Sequence, residues 1–253
     1  MSGGRSEPES IGDRMKRVVD QAQAQRRELA CCDRKPGPKD YRKALRAWGV
    51  LDKYLGWKLE DFGLKGPLDW AEGGYFIHGV QGSGKSCLAA AIVRDRMDPD
   101  HPRTLAVPKE SLEPGRIVKT FTWGDGEGLW LRAIRLGWRV KDSWGRERLS
   151  DVMDKLSRHR LVVLDDLASE NPDVHCVEAI MDLVESAVNG SMPLVVTSNL
   201  SRAELGEFYG NARIASRLGD LREIVMPEVD HRSARAKSRS PLQVRRPPRK
   251  EQR

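Results

Sequence analysis

Between residues 75 and 226 the chain alternates short apolar runs with longer amphipathic ones. Tyr75-Phe76-Ile77-His78, RIVKTFTW at 116–123, LVVLD at 161–165, PLVVTS at 193–198 and EIVM at 223–226 read as strands. The stretches between them read as helices. In the clearest, Cys176, Val177, Ile180, Met181, Val184 and Ala187 fall on one helical stripe. LVVL at 161–164 does not alternate with polar residues, as expected of a strand covered on both faces. Strands separated by helices of this size predict an α/β fold in which helices flank a parallel sheet.

The two ends have a different pattern. Residues 10–30 hold helix formers but only a thin apolar stripe, which predicts a helix that needs a partner. DRKPGPKD at 33–40 reads as a linker, and the following segment to Phe62 as a helical stretch and a turn. The expected organisation is therefore an N-terminal helical segment and linker over 1–40, a core over 41–230 and a tail over 231–253. From His231 onward nine Lys or Arg face Glu251 alone, so the net charge of +7 belongs to the tail, which should be disordered. Such a tail fits a nucleic-acid arm or a solvated terminus, and the sequence leaves both open.

Composition narrows the class. The 253 residues, 39% of them hydrophobic, suit one main domain with appendages. No run approaches the roughly 18 apolar residues of a membrane span, and the N-terminus lacks an apolar signal core, so a cytoplasmic protein without membrane contact is expected. Cys31, Cys32, Cys87 and Cys176 form no CxxC pair and no histidine stands near them at ligand spacing, which argues for free thiols rather than structural zinc.

The chemistry begins directly after the first strand. Gly79-Val80-Gln81-Gly82-Ser83-Gly84-Lys85-Ser86 matches GxxxxGK[ST] in full, with Cys87 opening a convincing helix. Glycines let successive N–H groups turn inward toward phosphate oxygens, and the helix N-terminus adds partial positive charge. Lys85 is expected on the β- and γ-phosphates of ATP and Ser86 on Mg²⁺. Asp165 and Asp166, at the carboxyl end of the strand LVVLD, complete the site: Asp165 on Mg²⁺, Asp166 on the attacking water.

Three features converge: this double acid, the strand running into VVTSNLSRAEL, and RIASRL at 213–218. Together with YLGWKLEDF at 54–62 they resemble the AAA+ ATPases of the DnaC-like helicase loader and IstB-like transposition helper group, over roughly residues 50–232. The resemblance implies a P-loop NTPase fold of AAA+ type with a five-stranded parallel sheet. It places Asn199 at a sensor position and Arg217 as an arginine finger acting in a neighbouring subunit, with Arg213 the lesser candidate and Arg232 in a terminal family motif. Many relatives carry Glu where Asp166 stands. The shorter Asp predicts slow hydrolysis, or a contribution from Glu170. Too little chain separates Arg217 from the basic tail for a full lid domain.

Leu129, Trp130, Ala133 and Ile134 read as one face of a helix, with Arg132, Arg135 and Arg139 on another. Interleaved aromatics and cations continue through Trp138, Lys141, Trp144, Arg146 and Arg148, a pattern that suits single-stranded DNA or a plain amphipathic helix. The resemblance implies a replicative helicase as partner, or a transposase if the chain is a transposition helper. A small-molecule kinase would also use Lys85, Ser86 and Asp165 but normally adds an arginine-bearing lid. An ATP-switched adaptor with negligible turnover is the remaining alternative.

Overall fold

The computed structural model describes residues 30–34, 37–70, 73–113, 116–123, 127–143, 149–170, 174–228 and 243–245. The helix expected over 10–30, except Ala30, which opens a strand, lies outside the described residues, as do Trp144, Arg146, Arg148, Arg232 and most of the tail. In chain order the elements are β1 (Ala30–Arg34), α1 (Pro38–Ala47), β2 (Gly74–His78), α2 (Lys85–Met97), β3 (Val107–Glu113) and β4 (Arg116–Thr122). Next come β5 (Leu129–Arg132), α3 (Ala133–Ser143), α4 (Leu149–Ser157), β6 (Val162–Leu167), α5 (Val174–Val188) and β7 (Leu194–Ser198). The described chain closes with α6 (Arg202–Phe208), α7 (Ala212–Leu218), β8 (Arg222–Val225) and β9 (Gln243–Arg245).

The chain divides into two compact units: residues 1–36 with 107–122, and residues 37–106 with 123–253. In the smaller unit, β3 and β4 form an antiparallel hairpin and β1 pairs in parallel with β4. The larger unit contains a sheet of order β5-β6-β7-β2-β8-β9. Five of these strands run parallel, and β9 joins antiparallel to β8.

Four expectations drawn from the sequence differ from the structure. The strand expected over 116–123 forms, but as β4 of the smaller sheet. Its expected place in the parallel sheet is taken by β5, whose Leu129 and Trp130 read as helical; α3 begins only at Ala133. Spacing alone fits Leu129, Trp130, Ala133 and Ile134 to a helical stripe, but Trp130 and its neighbour Leu131 are both buried, in cores on opposite faces of the sheet. Consecutive residues pointing to opposite faces are the geometry of a strand. The linker expected over 33–40 is also partly structured: Asp33 and Arg34 belong to β1, and Pro38 starts α1, where a proline without an N–H is tolerated. Within the tail, residues 243–245 form β9 rather than irregular chain.

The continuous apolar strands behave as their lack of alternation predicts. Phe76, Val162, Leu164, Leu194 and Val196 face a core built with α3 to α7. Tyr75, Ile77, Val163 and Val195 face the opposite core, packed by α1 and α2. Helix α5 brings the expected stripe of Cys176, Ile180, Met181, Val184 and Ala187 into the first core. Among the described residues no helix is long and apolar enough to cross a membrane.

Candidate nucleotide site

The first strand of the large sheet in chain order, β2, lies between β7 and β8, while the next two strands of that sheet, β5 and β6, are laid down beyond β7. Strand order therefore reverses beside β2, and in open parallel sheets ligands bind outside the carboxyl ends of the strands at such a point. There a cavity of about 620 Å³ is lined by Gln81, Gly82, Gly84, Lys85, Ser86 and Cys87 from the loop and helix start, Asp165 and Asp166 after β6, and Thr197 and Asn199 from β7 and its exit. Gly82 and Gly84, at φ 82° and 94°, occupy left-handed conformations that only glycine adopts cheaply, and they wrap the loop around the N-terminus of α2. Gly79 contributes its carbonyl, and Ser83 is buried within the loop.

Lys85 is itself buried, and its Nζ donates to the carbonyls of Gly79 and Val80 at 2.8 Å each. Across the cavity, the hydroxyls of Ser86 and Thr197 both donate to Asp165 Oδ1, at 2.8 and 2.7 Å. Asp165 is 4% exposed. Burial pushes its carboxyl above the usual range, the two hydroxyls pull it down, and the neighbouring Asp166 charge adds to the rise. Hydrogen bonds to a charged group contribute about 1.5–3 kcal/mol each, yet desolvation prevails in the net direction. Strand β6 is irregular here: Leu164 pairs with Val196 but Leu167 with Ser198, so the strand gains one residue across the acidic pair. Thr197 spans the irregularity, its Oγ1 accepting the N–H of Asp166 at 2.9 Å.

Asp166 Oδ2 lies 3.3 Å from Nη2 of Arg132, the last residue of β5, and Arg132 also lines the cavity. Arg132 thus sits at the acidic pair, whereas Arg135 is exposed on α3 with its guanidinium over the half-exposed ring of Trp138. Arg139 is on the same helix. The sequence reading missed Thr197, the one hydroxyl in an apolar strand before Ser198. Also unexpected are the aromatics Tyr54, Trp57 and Phe62, which with Met226 and Pro227 line the same cavity. The signal for these was YLGWKLEDF, whose aromatics have no amphipathic period to explain them. Glu170 is buried, accepts a hydrogen bond from the Tyr209 hydroxyl and does not line the cavity.

Asn199 is exposed at the cavity rim, held by a turn in which Ser198 Oγ accepts the N–H of Leu200. Arg213 and Arg217 do not line their own cavity: both reach Glu185 Oε1 on α5, at 3.3 and 3.4 Å, and Arg217 also approaches Asp220 at 3.7 Å.

The donor set fits Mg²⁺. Ser86 and Asp165 offer adjacent hard oxygens beside the phosphate loop, the partial shell a magnesium ion completes with phosphate oxygens and water. Among the described residues there is no cluster of three or more His, Cys, Asp or Glu that could hold a metal unaided.

No protein-family model and no curated protein matches the chain. Among solved structures, the chain is similar to the DnaC helicase loader, with a TM-score of 0.50 and 17% identity over 70% of this chain and 100% of that one. It is also similar to a replication initiator DnaA bound to AMPPCP and single-stranded DNA, with a TM-score of 0.50 and 12% identity over 70% of this chain. That match spans about half of the DnaA chain, 51%. Both likenesses are of fold: a parallel five-stranded sheet flanked by helices, as in the DnaC helicase loader.

Proposed function

With a DnaC-like AAA+ ATPase fold as the premise, we propose that ATP binding promotes association of this protein's subunits and their engagement of single-stranded DNA and a replicative helicase, and that hydrolysis releases them. The observation that carries the reading is the Ser86–Asp165–Thr197–Asp166 chain of hydrogen bonds, which joins the phosphate loop to the acidic pair through the strand between them.

The backbone of residues 79–84 and the start of α2 bind the phosphates, and Lys85 exchanges its loop carbonyls for β- and γ-phosphate oxygens. Ser86 and Asp165 hold Mg²⁺, which when bound neutralises charge developing on the transferring phosphoryl group. Asp166 orients the attacking water and Asn199 contacts the γ-phosphate or that water. Arg217, directed away from its own cavity, serves the ATP of a neighbouring subunit, with Arg213 beside it. A finger of this kind contributes about 10³- to 10⁵-fold in rate, so an isolated subunit is a poor enzyme and self-association is part of the mechanism. Arg135, Arg139 and the exposed Trp138 on α3 offer single-stranded DNA cations for its phosphates and a ring for its bases. The helicase partner comes from the resemblance to loaders.

The test is complementation. Lys85→Ala protein should not turn over ATP, and Arg217→Ala protein should bind ATP without hydrolysing it. Mixing the two should restore turnover, because the intact finger of one meets the intact phosphate loop of the other. Turnover unaffected by Lys85→Ala would remove the site, and no recovery on mixing would remove the finger.

A further inference from the structure

The turn after β6 holds a backbone that its residues do not favour. Asp166 and Ala168 have φ of 65° and 70°. A residue with a Cβ enters this region at about 1–3 kcal/mol and stays there only where its surroundings impose it. Two of the restraints come from β7: Thr197 Oγ1 accepts the Asp166 N–H, and Ser198 Oγ donates to the Leu167 carbonyl at 2.9 Å. The third comes from Tyr209, the C-cap of α6, whose hydroxyl accepts the N–H of Ala168 at 3.2 Å.

That hydroxyl is itself fixed. It donates to Glu170 Oε1, so its proton and its acceptor lone pair both have fixed partners and the rotor has one orientation. Glu170 is 6% exposed and its Oε2 makes no hydrogen bond. An unsatisfied buried carboxylate oxygen costs about 1–3 kcal/mol or more, which a structure built for stability alone would shed. Burial, followed by the Glu170 charge, holds the Tyr209 phenol well above its ordinary range, so it remains a donor wherever the protein is folded.

We propose that Tyr209 is a positioning residue for Asp166: locked by Glu170, its hydroxyl grips the Ala168 N–H and sets the turn that aims the Asp166 carboxylate. The inference rests on the hydrolytic role given to Asp166 above. Glu170 acts through Tyr209, and it is not the base. The same tyrosine ends α6 immediately before α7, so the corner that launches Arg213 and Arg217 also anchors the acidic turn.

The experiment compares Tyr209→Phe and Glu170→Gln with the parent full-length chain. Phenylalanine keeps the ring that meets Phe208 edge-on and removes only the hydroxyl. In Tyr209→Phe, the ATP Kd and KM should stay within about twofold while kcat falls about 10- to 100-fold, the loss that a small misplacement of a reacting group produces. Amide exchange should speed up at 166–169 and nowhere else in the sheet. Glu170→Gln keeps an acceptor for the hydroxyl and should lose less than about threefold in kcat. Parental kcat in Tyr209→Phe overturns the proposal, as does a loss of Kd, kcat and Tm together. A Glu170→Gln loss equal to that of Asp166→Asn also overturns it, because Glu170 would then be acting on the reaction itself. If turnover needs neither Lys85 nor Asp166, the reading of the whole site falls and takes this proposal with it. Turnover that needs both, but not the Tyr209 hydroxyl, defeats this proposal alone.

Discussion

Asp165 must keep a charge in surroundings that resist it. Its carboxyl is held above the usual range, so in nucleotide-free protein the folded state binds the proton more tightly than the unfolded state. Stability contributed by this group therefore grows as pH falls through its folded pKa toward the unfolded value near 3.8, and is absent above the folded pKa. Asp165→Asn should raise the Tm of nucleotide-free protein at neutral pH, by about 2–4 °C for each ~1 kcal/mol relieved. The advantage should shrink on acidification, and the variant should lose the Tm increase that Mg²⁺ and ATP give the parent. Scanning calorimetry at several pH values reads all three effects. Arg132 poses a different question, because it was grouped by sequence with Arg135 and Arg139 as a DNA contact but pairs with Asp166. A half-exposed pair of this kind is worth about 0–1 kcal/mol, so Arg132→Ala should hardly change stability. It should alter ATP turnover while single-strand affinity survives; Arg135→Ala should do the reverse. The glycines, Lys85 and Ser86 were legible because phosphate chemistry fixes their spacing in one stretch of chain, and the two aspartates because they end an apolar strand. Thr197 was not, since its role exists only once β7 lies between β2 and β6.

At the level of elements, legibility followed length. Helix α5 has four turns over which to show its stripe, and it is found where the pattern puts it. Strand β5 has four residues, too few for a period of two to be told from one of 3.6. The two assignments differ in what they ask of Leu131, which a helix with Leu129, Trp130, Ala133 and Ile134 inward would leave outside. In β5 it is buried, and Leu131→Ala should cost about 2–5 kcal/mol in denaturant unfolding, whereas a residue on the outer face of a helix would change little. In helix α7, Arg213 and Arg217 stand four positions apart on one face, and their shared partner, Glu185, is distant in sequence. The arginines rest on Glu185 in partly exposed pairs worth about 0–1 kcal/mol, weak enough to be exchanged for a phosphate. Arg217→Ala should therefore leave Tm within about 2 °C of the parent while removing turnover, whereas an arginine that only pairs with Glu185 and Asp220 would leave turnover unchanged.

For the whole molecule, the two apolar cores on opposite faces of one sheet were expected from the unalternating strands, and the second, three-stranded unit was not. The sequences of β3 and β4 carry no signal that says which sheet their hairpin joins. If the finger acts between subunits, specific ATPase activity should rise with protein concentration over the range in which the protein associates, as sedimentation and turnover measured on the same samples would show. Activity independent of concentration would return Arg217 to its surface pairs.

The short antiparallel β9 bears on that experiment. A strand at the margin of a sheet displays unpaired N–H and C=O groups that invite another chain, and natural proteins usually cover or blunt such margins. Residues 243–245 cap β8 in this way. A chain cut after residue 230 to remove the basic tail would lose that cover, and the exposed margin could join two copies edge to edge. Such a truncated protein should self-associate even with Arg217→Ala, through backbone pairing unrelated to ATP. Light scattering of that double variant, with and without nucleotide, would separate accidental sheet extension from assembly that serves catalysis.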